Sequence, residues 1–471
     1  MNTRTSKSTT DSAEPLDRKL LLLAFVLIPG ALAALLDTTI VTVAIDGLAT
    51  EFGATVTTIQ WVTTAYLLAM ASVIPLTGWA LDRFGPRAAW LTSLTLFLSG
   101  SVLCGLAWSA ESLILFRVIQ GLGGGMVLPL LQAILARAAG PNRFGRIMAV
   151  VGIPGQLAPI IGPLVGGVII DQLNWRWIFL INIPVVGLAM AAAVRGVPAG
   201  ERTPSDRLDV RGLLLMSPGV VALIYGFSEF GSSQQRPGPA LPVVALLLGA
   251  LLLVGFTVHA LHRKNEALID LRLFRRPSFS ACAALMFLSG ITTWGAMFLL
   301  PLFYQSARGA SALEAGLLMA PQGVGIALAM VVGGRLADRG TPAWLMVVVG
   351  LSITAITTVP FAVVGPDTSN LLLGTVLLVR GIGIEIAAIA MMTQIYKGLS
   401  ESAYARATTS TNIIQRIGAS FGTAVLAVIL ESQLAANGPD GVLEAFGHTF
   451  WWSTAFVAIG ILPGFLLAKR S

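Results

Sequence analysis

The feature that most limits this chain is a near-continuous series of apolar runs about 20 residues long, separated by short polar loops. A run of that length matches a helix crossing the hydrocarbon core, where backbone groups can be satisfied only within their own helix. About fourteen runs qualify: Leu20–Val43, Val56–Ala80, Ala88–Ala107, Leu113–Leu135, Ile147–Ile170, Trp177–Val194, Val210–Phe227, Leu241–Ala260, Phe279–Phe303, Ala312–Leu336, Ala343–Val364, Leu371–Ile395, Thr411–Leu430 and Thr449–Ala468. They are numbered spans 1 to 14 below. Composition agrees: 11% of residues are charged, against about 25% in soluble proteins. The expected fold class is an all-α membrane protein.

The polar loops carry topology. Arg and Lys gather after spans 2, 4, 6, 8, 10 and 12 and at both ends, as in Arg83, Arg87, Arg137, Arg143 and Arg146. The alternate loops hold mostly acids, such as Asp46, Glu51, Glu111 and Asp367. The positive-inside rule then puts both termini in the cytoplasm, as an even number of spans also requires. The +7 net charge therefore reports topology, and no nucleic-acid partner is expected. Residues 1–19, rich in Ser and Thr, read as a cytoplasmic tail. The run after them is too long for a signal peptide and stays as span 1.

The chain repeats itself. Gly78, Leu81, Asp82, Arg83 and Gly85 follow span 2, and Gly334, Leu336, Asp338, Arg339 and Gly340 follow span 10. Arg117 with Gly121 and Gly123 in span 4 is echoed by Arg380 with Gly381 and Gly383 in span 12. Equivalent loops at equivalent topology imply two parallel halves. Span 10 then matches span 2, so the second half begins at span 9. The expected division is a tail at 1–19, a six-helix bundle at 20–195, a two-helix insert at 196–265 and a second six-helix bundle at 266–471.

Against this apolar background a few polar residues stand out. Asp37 lies inside span 1, where an acid costs roughly 3 kcal/mol on insertion scales. Span 1 runs outward and span 4 inward, so Asp37 and Arg117 lie at similar depth and could interact directly or through water. A carboxylate held between a cation's pull and the cost of desolvation can change protonation as water access changes. Glu385, in span 12, is the second intramembrane acid and a candidate for binding cargo or a proton. It lies five residues after Arg380, about 140° around the helix, so the two need not touch. Asn412, Gln415 and Arg416 enter span 13 from the cytoplasmic side, and Arg416 could snorkel there.

Other motifs bear on conformation. Gly78, Asp82, Arg83, Gly85 and Arg87 suit a latch, with small residues for close helix approach and a carboxylate to accept from helix ends or an arginine. Gln120 and Gly121 follow Arg117. In span 5, Gly162, Pro163, Gly166 and Gly167 form a small-residue face with a kink, suited to a hinge. Trp175 and Trp177, in the run to Pro184, read as interfacial anchors. Cys104 and Cys282 read as core residues. His259, His262 and His448 have no companions at metal-ligand spacing, and no GxxxxGK[ST] phosphate loop is present. No metal, cofactor or ATP hydrolysis is expected.

Taken together, these residues resemble the major facilitator superfamily, in particular its 14-helix drug:H⁺ antiporter family. Residues 78–87 look like its loop motif after span 2, and Arg117, Gln120, Gly121 and Gly123 like its proton-coupling motif. Gly162, Pro163, Gly166 and Gly167 look like its antiporter motif. The run Leu36-Asp37-Thr-Thr-Ile, with Gln60, Trp61, Tyr66 and the stretch Trp175 to Pro184, completes the likeness. The resemblance implies a major facilitator fold in a bacterial cytoplasmic membrane, working as a monomer, with Asp37 coupling protons and Arg117 assisting. Gln60, Trp61, Tyr66 and Glu385 are the implied contacts to cargo. The implied partners are protons, an amphipathic compound and the bilayer, with a periplasmic adaptor if the source has two membranes. The chain departs from relatives that line their second half with several acids, which argues against dicationic cargo. Rival readings are a dedicated lipid or metabolite exporter, a non-transporting sensor or scaffold, and a membrane enzyme. The last has no metal cluster or nucleophile–base pair behind it.

Overall fold

A computed structural model describes residues 17–200, 208–230, 240–263, 268–269, 271–338, 340–397, 399, 401–438 and 441–467. The described residues are overwhelmingly helical. The first half comprises α1 (Arg18–Ile40), α2 (Ile45–Phe52), α3 (Val56–Val73), α4 (Leu76–Phe84), α5 (Pro86–Gly105), α6 (Ala110–Ala139), α7 (Pro141–Gln172), α8 (Trp177–Leu180) and α9 (Asn182–Gly196). Two further helices follow, α10 (Val210–Phe230) and α11 (Ala240–Arg263). The second half holds α12 (Pro277–Leu302), α13 (Ala312–Asp338), α14 (Ala343–Ala362), α15 (Asn370–Tyr396), α16 (Glu401–Asn437) and α17 (Val442–Leu466).

Twelve described helices are long and apolar enough to cross a membrane, or thirteen with α3 and α4 counted as one span. The difference from fourteen is α7. It has 32 residues, about 48 Å at the helical rise, so its length suffices. Several of its positions lie outside the residues on which that count rests. The expected span 2 is bent by 57° between α3 and α4. Pro75 at the break has no N–H to continue the ladder.

The same neighbour relations occur twice. α6 packs on α3 and α5 as α15 packs on α13 and α14; α1 packs on α7 and α9 as α12 packs on α16 and α17. The halves meet through α7 with α13 and α15, and through α4 and α6 with α16. Named contacts cluster at the end carrying the arginine-rich loops. There Phe144 and Tyr396 rings stand edge to face at 4.8 Å, and Asn412 Nδ2 donates to Gln132 Oε1 at 2.8 Å. Gly152 faces Met330, and Gly334 faces the Arg146 stem. The far end of α7 turns onto α1 instead: a Cβ on Gly162 would fall on Thr39 Oγ1.

α10 and α11 pack on each other, and α10 also lies against α3 and α16. Trp61 stacks on Tyr225 at 5.9 Å, and Phe227 meets Phe421 at 5.3 Å. Thus α10 covers one flank of the seam between the halves. On α11, Leu247, Leu251 and Val254 are exposed, as suits a helix facing lipid.

Candidate functional site

α1 places Asp37 facing inward, 1% exposed. Arg117 on α6 pairs with it through Nη1 and Oδ2. Gln120, one turn on, donates from Nε2 to Asp37 Oδ1 at 2.8 Å and accepts from Arg117 Nη1 at 2.8 Å. Asn182 at the start of α9 donates to the same Oδ1 at 3.2 Å and to Ser101 Oγ on α5 at 2.9 Å. Ser101 Oγ donates to the Phe179 carbonyl at 2.8 Å. One carboxylate therefore gathers donors from α6 and α9, and Ser101 on α5 accepts from the same Asn182 amide.

The arginine is fixed on its other sides. Its Nε donates to the Val62 carbonyl of α3 at 3.1 Å, and its guanidinium lies 3.8 Å from the Tyr66 ring centroid. Tyr66 is fully buried, its hydroxyl 3.4 Å from the Ala34 carbonyl. Gly121 lets α6 approach: a Cβ there would strike the Tyr66 carbonyl and Ala69. Arg117 Nη2 is buried with no partner among the described residues. Burying both charges costs several kcal/mol each in principle, and only such a set of hydrogen bonds makes the pair tenable. The site holds a carboxylate dry, paired and able to lose its donors one by one.

Asp37 and Arg117, inferred to lie at one depth, thus meet directly. Tyr66 joins them rather than standing apart with Gln60 and Trp61. Gln60 is exposed, and Trp61 packs on α10. Asn182 and Ser101 were not singled out from sequence. The available signal was an Asn inside the Trp175-to-Pro184 run, since an intramembrane amide needs a partner. Cys104, read as core, also lies 3.6 Å from Gln120 Oε1. Of the two tryptophans read as anchors, Trp177 is exposed but Trp175 is buried, edge to face with Phe52 at 5.3 Å.

The latch residues also form a cluster. Asp82 accepts from Arg137 Nη2 at 2.5 Å, tying α4 to α6. Arg87 Nε donates to the Val197 carbonyl at 2.7 Å. Gly85 adopts φ +81, and a Cβ on it would strike the Ala199 carbonyl. Gly78 is buried and Arg83 exposed. Gly162 and Gly166 form the α7 face against α1. The side chains of Pro163 and Asp338, and all of Arg339, lie outside the described residues.

In the second half Arg380 is 1% exposed. It donates to Gln322 Oε1 at 2.9 Å and Thr358 Oγ1 at 3.3 Å, with no acid in contact. Glu385 is partly exposed. One pairing had no sequence signal: Asp209 caps α10 through the Gly212 N–H at 2.9 Å and meets His259 Nε2 at 2.8 Å.

The Major Facilitator Superfamily profile matches residues 27–423. The chain belongs to that superfamily. Among its relatives is the multidrug resistance protein B homolog of Mycobacterium tuberculosis, 38% identical over 420 residues, which cover 89% of this chain and 77% of the relative. The putative multidrug resistance protein MdtD of Escherichia coli is 29% identical over 439 residues, 92% and 91% of the two chains. Among solved structures, the human organic anion transporter MFSD10 (TETRAN) superposes with a TM-score of 0.63 at 18% identity, over 95% of this chain and 99% of that one. That likeness shows the major facilitator fold. The superfamily consists of transporters, and this chain is a multi-pass membrane protein of multidrug-transporter kinship.

Proposed function

We propose that this protein is a proton-coupled antiporter that exports amphipathic or hydrophobic compounds across a bacterial cytoplasmic membrane, with both termini inside. The observation that carries the reading is the Asp37 carboxylate, buried in the last turn of α1 and held by Arg117, Gln120 and Asn182. Relatives named for multidrug resistance support the export reading.

The chemistry follows from the contacts. With Asp37 ionised, Oδ1 and Oδ2 bind α1 to α6 and α9. A proton on Asp37 removes the charge that holds Arg117 and turns one oxygen into a donor facing other donors. The network then loosens, and α1 is freed relative to its neighbours. Loss of the proton to the other side restores it. Rocking of the halves about a midplane site supplies the alternating access. Such a site is mostly apolar, with few polar contacts.

The test is flux in proteoliposomes under an imposed pH gradient, using a dye that wild-type protein exports. Asp37→Asn keeps the shape and removes the titration, so proton-driven efflux should stop while the protein remains folded. Wild-type efflux by Asp37→Asn would overturn the coupling role.

A further inference from the structure

The membrane-depth charges are unequal between the halves. In the first, Asp37 and Arg117 neutralise each other. In the second, α15 carries Arg380 and Glu385 and α16 carries Arg416, and among the described residues no ion pair involves these three. Arg380 is enclosed between α13, α14 and α15, out of reach. Arg416 is partly exposed.

Its place in the fold is specific. Asn412 on α16 reaches Gln132 on α6 at 2.8 Å, which helps seal the halves at the arginine-rich end. Arg416 follows one turn later on the same face, about 6 Å deeper into the membrane. Its neighbours Ile413 and Ile417 belong to the apolar cluster that also holds Ala71 and Ile74 of the first half and Met216 and Val220 of α10, so this side of α16 faces protein, not lipid. Arg416 lies four residues beyond Asn412, just past the polar run Arg406-Ala-Thr-Thr-Ser-Thr-Asn412. No hydrogen-bond acceptor or carboxylate among the described residues meets its side chain.

A guanidinium set among apolar helices without an anion is costly, which makes it a candidate functional position. Its planar fork matches a carboxylate through two parallel hydrogen bonds. We infer that Arg416, just above the Gln132–Asn412 seal, is a recognition point for the carboxylate of an amphipathic cargo entering the space between the halves. The inference rests on the export reading for the word cargo, but the subsite is a matter of binding alone.

The test uses three probes with one apolar body: pyrenebutyrate, pyrenebutanol and pyrenebutylamine, equilibrated by dialysis with purified protein in a non-ionic detergent. Wild-type protein should hold the butyrate about ten-fold tighter than the butanol, as one charge-assisted pairing gives, and the amine more weakly still. Arg416→Gln should erase the preference and leave butanol binding unchanged, and Arg416→Lys should keep part of it. Absence of a preference in wild-type protein, or an equal loss of all three probes in Arg416→Gln with none regained in Arg416→Lys, overturns the subsite. Butyrate preference without flux in proteoliposomes would instead sink the export reading and leave the subsite standing.

Discussion

Arg117 and Asp37 are worth more as a pair than either alone is tolerable. Arg117→Met would leave a buried carboxylate without its cation, which costs about 3–5 kcal/mol where such pairs have been broken. Asp37→Asn combined with Arg117→Met removes both charges and should recover most of that loss. Unfolding of the four proteins of this cycle by titration with a denaturing detergent measures the coupling, and additive losses would contradict it. Asn182→Leu removes the donor shared by Asp37 and Ser101 and should destabilise by about 1–3 kcal/mol, read by the same titration. The Asp37–Arg117 meeting was legible in sequence because hydropathy and topology give depth. Asn182, Ser101 and the Asp209–His259 pair were not, because lateral contact depends on how each helix is rotated about its axis, which hydropathy does not encode.

Among the elements, α7 and α1 are joined by the closest approach around the site. Gly162→Ala would place a methyl on Thr39 Oγ1, pushing α7 away from the helix that carries Asp37. Transport per folded molecule should fall several-fold, and Thr39→Ala should restore part of it, since it removes the obstructing oxygen. No rescue in the double variant would mean that the glycine serves another purpose. Span lengths and their succession were readable from apolar runs. The 57° bend between α3 and α4 was not, although Pro75 was in view, because a proline permits a break without setting its angle.

At the scale of the whole molecule, the halves touch where the arginine-rich loops emerge, through Phe144 with Tyr396 and Gln132 with Asn412. If access alternates, these contacts must part in each cycle. A short bifunctional thiol reagent across Gln132→Cys and Asn412→Cys should stop efflux, and cleaving the linker should restore it. Cys104 and Cys282 are buried, which limits background labelling. Undiminished efflux with the crosslink formed would show that this end stays shut. The twofold packing plan was legible in the repeated Asp-Arg loops, but the position of α10 was not, since no repeat partner marks it.

That position makes the protein lopsided for a solute dissolved in the bilayer. Along the border of α3 and α16, α10 is interposed like a shutter, anchored by aromatic rings on both sides. On the opposite border α13 turns Leu317, Leu328 and Val331 outward. A greasy molecule arriving sideways from the leaflet would therefore find one doorway boarded and the other bare.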